Sequence, residues 1–216
     1  RYRRGEAGDV GGLRDQRVGD VFVEDRQADL AVAVVALVVD HGLQPGSRGV
    51  AETAAERALG LGCVDAKVLA VTVDRDGGME AAARRSRYAA LAAARGDSPV
   101  LIAHTLDDQA ETVLLGLARG SGPRSIAGMT PWDPPWGRPL LGIRRAVTRQ
   151  ACVELGLDAY SDPQNFSDDF TRVRLRQEVL PLLEDVLGGG VAEALGRTAT
   201  QLREDSGVLD AQADDL

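Results

Sequence analysis

The chain has a single lysine (Lys67), a single asparagine (Asn165), three isoleucines and only eight aromatic residues. Lys, Asn and Ile share A/T-rich codons, so their scarcity points to a GC-rich genome, in which arginine supplies nearly all the positive charge. One isolated Arg is therefore weak evidence for a phosphate clamp. Cysteine is equally sparse: Cys63 and Cys152 stand far apart and form no CxxC pair. Zinc-ribbon and iron–sulfur frameworks are thereby unsupported, and a reducing cytoplasm is the expected compartment. Long apolar runs are missing too. The longest spans residues 30–39, against the roughly 20 residues that a membrane-crossing helix needs, so no membrane role is expected. A secretory leader is not expected either, because Arg1–Arg4 leads into an acidic, Gly-rich stretch rather than an apolar one. The opening Arg1, where Met would be usual, is compatible with a fragment.

What remains is an ordinary globular composition: 216 residues, 44% hydrophobic, 27% charged, with a net charge of -8. Arg, Gly, Asp and Val supply 20 of the first 30 residues with no period of 2 or 3.6. Residues 1–29 stay unassigned, with two readings open: a disordered arm, or translation in the wrong frame of GC-rich DNA. Regular patterning starts at Leu30. Residues 30–39 read as a strand buried on both faces, 50–61 as a helix, and 67–73 as a second strand closed by a turn over 74–78. Residues 79–94 read as a helix, 99–103 as a third strand, and 107–118 as a third helix ending in a loop at 119–122. Residues 123–139 hold five of the nine prolines and both tryptophans, the mark of a loop or hairpin. A short helix is expected over 148–155, a polar loop over 161–169, and helix over 171–187 with a break or restart at Pro181. After the glycines at 188–190 a last helix covers 191–209. Strand–helix alternation predicts an α/β fold, a parallel sheet flanked by helices over residues 30–161, with a helical extension over 162–216.

In such sheets ligands bind at the carboxyl ends of the strands, which directs attention to Asp40-His41-Gly42-Leu43-Gln44, to the 74–78 turn, and to Ala103-His104-Thr105-Leu106-Asp107-Asp108-Gln109-Ala110-Glu111-Thr112. Asp108 and Glu111 lie three apart, on one face of a helix's first turn. Two carboxylates there could hold Mg²⁺ beside a phosphate; equally, they could serve the helix dipole while Thr105 or Asp107 caps the helix. His104 has a packed, hydrogen-bonded alternative, Arg84 and Arg87 a solvated one, and Arg138 could simply bond carbonyls of the Pro-rich loop.

The ordered set is more specific than its members. His-x-x-x-Asp-x-x-Glu at His104–Glu111 occurs with Val38-Val39-Asp40-His41-Gly42-Leu43, Glu80-Ala81-Ala82-Ala83-Arg84 with Arg87-Tyr88, Arg119-Gly120-Ser121-Gly122, Arg138-Pro139-Leu140-Leu141 and Asp162-Pro163-x-Asn165. Over residues 38–183 the chain resembles the tRNA(Ile)-lysidine synthetases, a family of N-type ATP pyrophosphatases. The resemblance implies an adenine nucleotide alpha hydrolase-like fold of the PP-loop type and a C–N bond-forming ligase. ATP would adenylate the wobble cytidine of an isoleucine tRNA with a CAU anticodon at its C2 oxygen, and free lysine would then displace AMP. Carried over residue by residue, it implies catalytic roles for Arg84, His104, Asp108, Glu111 and Arg176. It implies nucleotide binding by Asp40, His41 and His104, tRNA contacts by Arg87, Arg138, Arg172 and Arg174, and Mg²⁺ on Asp108 and Glu111. The family has Asn where Val173 stands in the Arg172–Arg176 run. A homodimer is compatible with such folds.

One departure falls upstream. The family's Ser-Gly-Gly-x-Asp-Ser phosphate loop does not occur in the sequence; the nearest string, Val10-Gly11-Gly12-Leu13-Arg14-Asp15, has no serine and no helical pattern after it. The expectation is therefore impaired ATP chemistry in this chain as written. The competing expectation is a non-catalytic α/β module that binds an adenine nucleotide or a protein. A tRNA thiolase is disfavoured, since its iron–sulfur members need clustered cysteines. Net charge does not exclude RNA: residues 84–176 carry 13 basic and 10 acidic side chains, while residues 177–216 carry 2 and 9. Any RNA contact is expected on residues 84–176.

Overall fold

Valine-rich β-branched sequence makes the first strand, and pairing decides its length. In the computed structural model, which describes residues 32–73, 78–120, 122–162 and 170–215, β1 covers Val35–Asp40. It starts later than the apolar run because its parallel partner β2 (Asp65–Ala70) matches it only from Val35↔Asp65 to Asp40↔Ala70. Val32 and Val34 remain 71% and 54% exposed. The right-handed crossover expected between parallel neighbours is α1 (Ser47–Gly60), which buries Ala51 and Ala55.

Next come α2 (Met79–Ala94), β3 (Val100–Leu101) and α3 (Leu106–Arg119). A four-residue helix α4 (Pro123–Ile126) opens the Pro-rich region. The region then folds into a hairpin of β4 (Trp132–Asp133) and β5 (Trp136–Gly137), with a cis bond between Pro134 and Pro135 at its turn. β3 is shorter than the predicted 99–103 because its only partner among the described residues is the two-residue β5. The strands thus form two small sheets there: a parallel β1–β2 pair, and β3–β5–β4 with one parallel and one antiparallel contact.

The helical half contains α5 (Arg145–Glu154), α6 (Thr171–Arg174), a π-helical turn (Leu175–Val179), α7 (Leu180–Val186) and α8 (Val191–Asp214). The π turn precedes Pro181, whose missing N–H cannot complete an ordinary α ladder; the chain continues as helix rather than breaking. The C-terminal helices pack on α3, where Ala110, Leu180 and Ala192 form a buried cluster supported by Leu114 and Leu195. Ala192, Gly196 and Ala199 share one face of α8. A Cβ on Gly196 would lie 2.6 Å from Leu106 Cδ1, so a larger residue would have to push that side chain aside. Gly116 is more tightly constrained, because a Cβ there would lie 2.2 Å from the backbone carbonyl oxygen of Ser125. Among the described residues no helix is long and apolar enough to cross a membrane, and Cys63 and Cys152 are unpaired.

The predicted turn over 74–78, the loop over 161–169, residues 1–29 and the Val10–Asp15 string fall wholly or largely outside the described residues; Gly78, Ser161 and Asp162 are the exceptions.

Candidate functional site

The site is built around the start of α3. Thr105 caps the helix: its hydroxyl accepts from the Asp108 N–H at 3.4 Å, while Asp108 Oδ2 accepts from the Thr105 N–H and hydroxyl at 2.7 Å each. This is a reciprocal capping box, so the capping role weighed for these residues is real. Gln109, the next motif residue, is also structural. Its amide bonds Met129 in both directions, at 2.9 and 2.7 Å.

Capping leaves Asp108 Oδ1 for Arg145, 2.7 Å away, with Arg176 at 3.6 Å. One turn on, Glu111 is fully buried, and Arg176 holds it in a forked pair at 2.8 and 3.3 Å. Arg145 and Arg172 approach the same carboxylate at 3.5 and 3.7 Å. Burial raises the Asp108 pKa, yet the Thr105 bonds and the guanidinium groups outweigh it, so Asp108 stays below its ordinary value. Burial likewise works against the Arg176 charge, but Glu111 and Asp108 hold its pKa above the ordinary one.

These contacts bear on the expected metal. All four carboxylate oxygens of Asp108 and Glu111 already face donors, and three guanidinium groups lie within 4 Å. Mg²⁺ requires near-octahedral oxygen ligands and brings two further positive charges. The pair as arranged does not fit that ion, and no group of three or more His, Cys, Asp or Glu suited to a metal occurs among the described residues.

Opposite this wall lies a cavity of about 400 Å³. His41 enters it from the end of β1, Arg84 and Arg87 from α2, His104 from the end of β3, and Arg172 and Arg176 from the helical half. Three of its polar side chains are left open. His41 Nδ1, His104 Nδ1 and Arg87 Nε are buried without a hydrogen-bond partner among the described residues, a state that native proteins avoid unless something else satisfies the group. Burial, reinforced by Arg87, Arg84 and Arg138 and only partly opposed by Asp108, lowers the His104 pKa to about 4. Burial and Arg87 lower that of His41. Both imidazoles are therefore neutral at pH 7, each able to donate one hydrogen bond and accept another. Burial also pulls the Arg87 pKa down.

The predicted residues do not all converge. Arg84, Arg87, His41, His104, Asp108, Glu111, Arg172 and Arg176 line this one cavity. Asp40 sits in the adjoining 180 Å³ pocket, which shares His41, Leu43 and Asp162. There its carboxylate accepts the Gly42 N–H and so shapes the turn after β1. Two of the expected RNA contacts are placed elsewhere. Arg138 is only 8% exposed and donates to the Thr130 carbonyl, the structural role weighed for it. Arg174 points away from the cavity and pairs with Glu178 one turn on, at 3.0 Å. Two arginines were missed. Arg145 anchors Asp108, and its backbone N–H bonds Asp107 at 2.7 Å. Arg144 ties Asp107, Glu184 and Glu193 together at 3.2–3.4 Å. Adjacent arginines after a loop carry no spacing signal; only folding brings them to α3.

With this geometry in view, comparison with known proteins is decisive on lineage. A family model described as the PP-loop domain matches residues 11–183. The chain belongs to the PP-loop domain family. This PP-loop chain is 70% identical over 186 residues to a tRNA(Ile)-lysidine synthase of Nocardia farcinica, covering 86% of this chain and 58% of that protein. To the tRNA(Ile)-lysidine synthase of Mycobacterium tuberculosis it is 71% identical over 178 residues, 82% of this chain and 55% of that one. It thus spans somewhat more than half the length of these curated relatives. Among solved structures, a U34-tRNA thiolase from Methanococcus maripaludis with its [4Fe-4S] cluster matches with a TM-score of 0.60 and 17% identity. The match covers 79% of this chain and 62% of the thiolase chain. That likeness concerns the fold alone: parallel strands and flanking helices of PP-loop type. The family also supports the expected use of ATP.

Proposed function

We propose that this PP-loop chain carries the nucleotide-handling part of a tRNA(Ile)-lysidine synthase, acting on free lysine and an isoleucine tRNA with a CAU anticodon in the cytoplasm. The supporting observation is a cavity lined by four guanidinium groups, in which buried polar atoms of His41, His104 and Arg87 lack partners among the described residues. A polyanion carrying a base supplies what those atoms lack. In the first step the cytidine C2 oxygen attacks the α-phosphorus of ATP, the bond to the β-phosphate oxygen breaks, and pyrophosphate leaves. Arg84 and Arg176 face the charge that builds on phosphorus, already positioned before reaction. In the second step the lysine amine bonds to C2, the C2–O bond breaks, AMP leaves with the electron pair, and the amine loses a proton. His104, neutral at pH 7, is suited to hydrogen-bonding base or nucleotide and not to acting as a standing acid. Any Mg²⁺ is read as a companion of the ATP phosphates rather than a tenant of the Asp108–Glu111 pair.

The absence of Ser-Gly-Gly-x-Asp-Ser from the sequence supports a second element of the proposal: the 216-residue chain binds ATP but does not turn it over unaided. Equilibrium ATP binding, with and without Mg²⁺, and AMP release in the presence of isoleucine tRNA and lysine test both parts. Binding that Arg84→Ala weakens, with no AMP released, is the expected result. Undetectable ATP binding would overturn the site. Released AMP would overturn the impairment.

A further inference from the structure

A second cavity, of about 550 Å³, lies behind the carboxylate wall. Asp108 and Arg176 line both cavities, so the wall has two open faces. On this far side the charged side chains are Arg145, Arg149, Arg176 and Asp108, an excess of two positive charges. Asp108 and Glu111 offset the charges of Arg145 and Arg176, which leaves Arg149 as the uncompensated cation of this cavity. Arg145 and Arg149 stand four apart on α5 and therefore share a face. Arg145 is pinned by Asp108 and Glu111, and Arg176 by Glu111. Arg149 is exposed and makes no ion pair or hydrogen bond among the described residues. Two fixed guanidinium groups and one unpaired arm in an open polar pocket constitute a receptor for an oxyanion. The fork geometry of Arg favours phosphate oxygens over a point charge.

We propose that this cavity is a second anion subsite, taking one phosphate group on Arg145, Arg149 and Arg176. The group belongs either to a phosphodiester of a bound RNA strand or to a free inorganic phosphate species, for which pyrophosphate is the probe. The RNA source rests on the function proposed above; the phosphate chemistry does not.

The test titrates the ¹⁵N-labelled chain with inorganic pyrophosphate, a short single-stranded RNA and acetate, following the arginine Nε–H signals. It contains no ATP, lysine or turnover, so failure of lysidine formation leaves it interpretable. Pyrophosphate is expected to shift the Arg145 and Arg149 signals at concentrations where acetate does not. Arg149→Ala is expected to weaken that binding about tenfold, the loss of one charge-assisted contact. Arg124→Ala, a surface cation paired with Asp210, should leave it unchanged. A loss confined to RNA identifies the phosphodiester as the source, and a loss for both ligands includes free phosphate. Shifts confined to Arg84 and Arg87, or an Arg149→Ala chain that binds like the wild type, would overturn the subsite.

Discussion

The two walls of the main cavity are built on opposite terms. On the helical wall every charge has a partner: Glu111 is closed by Arg145, Arg172 and Arg176, and Asp108 by Thr105 and Arg145. On the opposite wall His41 and His104 at the strand ends and Arg87 on α2 are half-buried, each with a buried polar atom unmatched among the described residues. A paired wall stabilises the fold and fixes the guanidinium groups in place. An unpaired wall weakens the fold and is tolerated where a ligand completes it. Substitutions on the two walls should therefore move stability and ligand affinity in different proportions, and they can be ranked.

The largest effect is expected from Glu111. Replacing it with Leu leaves three guanidinium groups around an apolar side chain, and breaking a buried pair from one side costs about 3–5 kcal/mol. Urea unfolding monitored by circular dichroism should register this loss, with Glu111→Gln intermediate. A Glu111→Leu chain as stable as the wild type would show that the helical wall is not the anchor described. Arg176→Met should come next, at about 1–3 kcal/mol, because Arg145 and Arg172 still reach the carboxylate. It should weaken ATP binding as well, since Arg176 also faces the cavity.

Arg87→Met sharpens the contrast by separating the two quantities. The guanidinium is desolvated with its Nε unsatisfied, so an apolar side chain of similar volume should leave stability unchanged within about 0.5 kcal/mol, or raise it. ATP affinity should nevertheless fall about tenfold. A stability loss as large as that of Arg176→Met would erase the distinction between the walls.

His104 gives the contrast a pH signature. An unfolded histidine takes up its proton near pH 6.5, whereas folded His104 does so only near 4. Between these values the unfolded chain binds more protons, so stability is fully present above pH 6.5 and declines as pH falls toward 4. His104→Gln should flatten that decline in chemical denaturation series at pH 7, 6 and 5. His41 acts in the same direction and leaves a residual slope.

Much of this was legible in the residues, for a physical reason. Helix periodicity and strand composition are local, and α2 came out at residues 79–94 as predicted. The strands did not keep their expected lengths, because Val32, Ala33 and Ala103 are suitable residues but have no ladder partner among the described residues. Within the site, spacing placed Asp108 and Glu111 on one face, and the ordered motifs placed His41, Arg84 and His104 near them. Spacing could not tell whether two carboxylates would meet a cation from solution or from the chain itself. That depends on Arg145 and Arg176, which lie 37 and 65 residues from their partners Asp108 and Glu111. Arg138 illustrates the converse: the resemblance implied contact with RNA, while folding leaves the residue 8% exposed and bonded to the Thr130 carbonyl.

The smallest effect separates two arginines that are two residues apart in sequence. Arg172 and Arg174 both belong to the basic run of α6, and composition alone treats them alike. A helix turns about 100° per residue, so side chains two apart face different directions. Arg172 reaches Glu111 and the Thr112 hydroxyl at the cavity, whereas Arg174 bonds the exposed Glu178. An exposed pair of this kind contributes little, because water and salt screen it and two long side chains must be held still. Arg174→Ala should shift the thermal midpoint by about 1 °C or less and leave ATP affinity unchanged. Arg172→Ala, by contrast, should weaken ATP binding measurably. If calorimetry found the two substitutions equivalent in affinity, the cavity would not discriminate between faces of α6, and the arginine run would act only through its net charge.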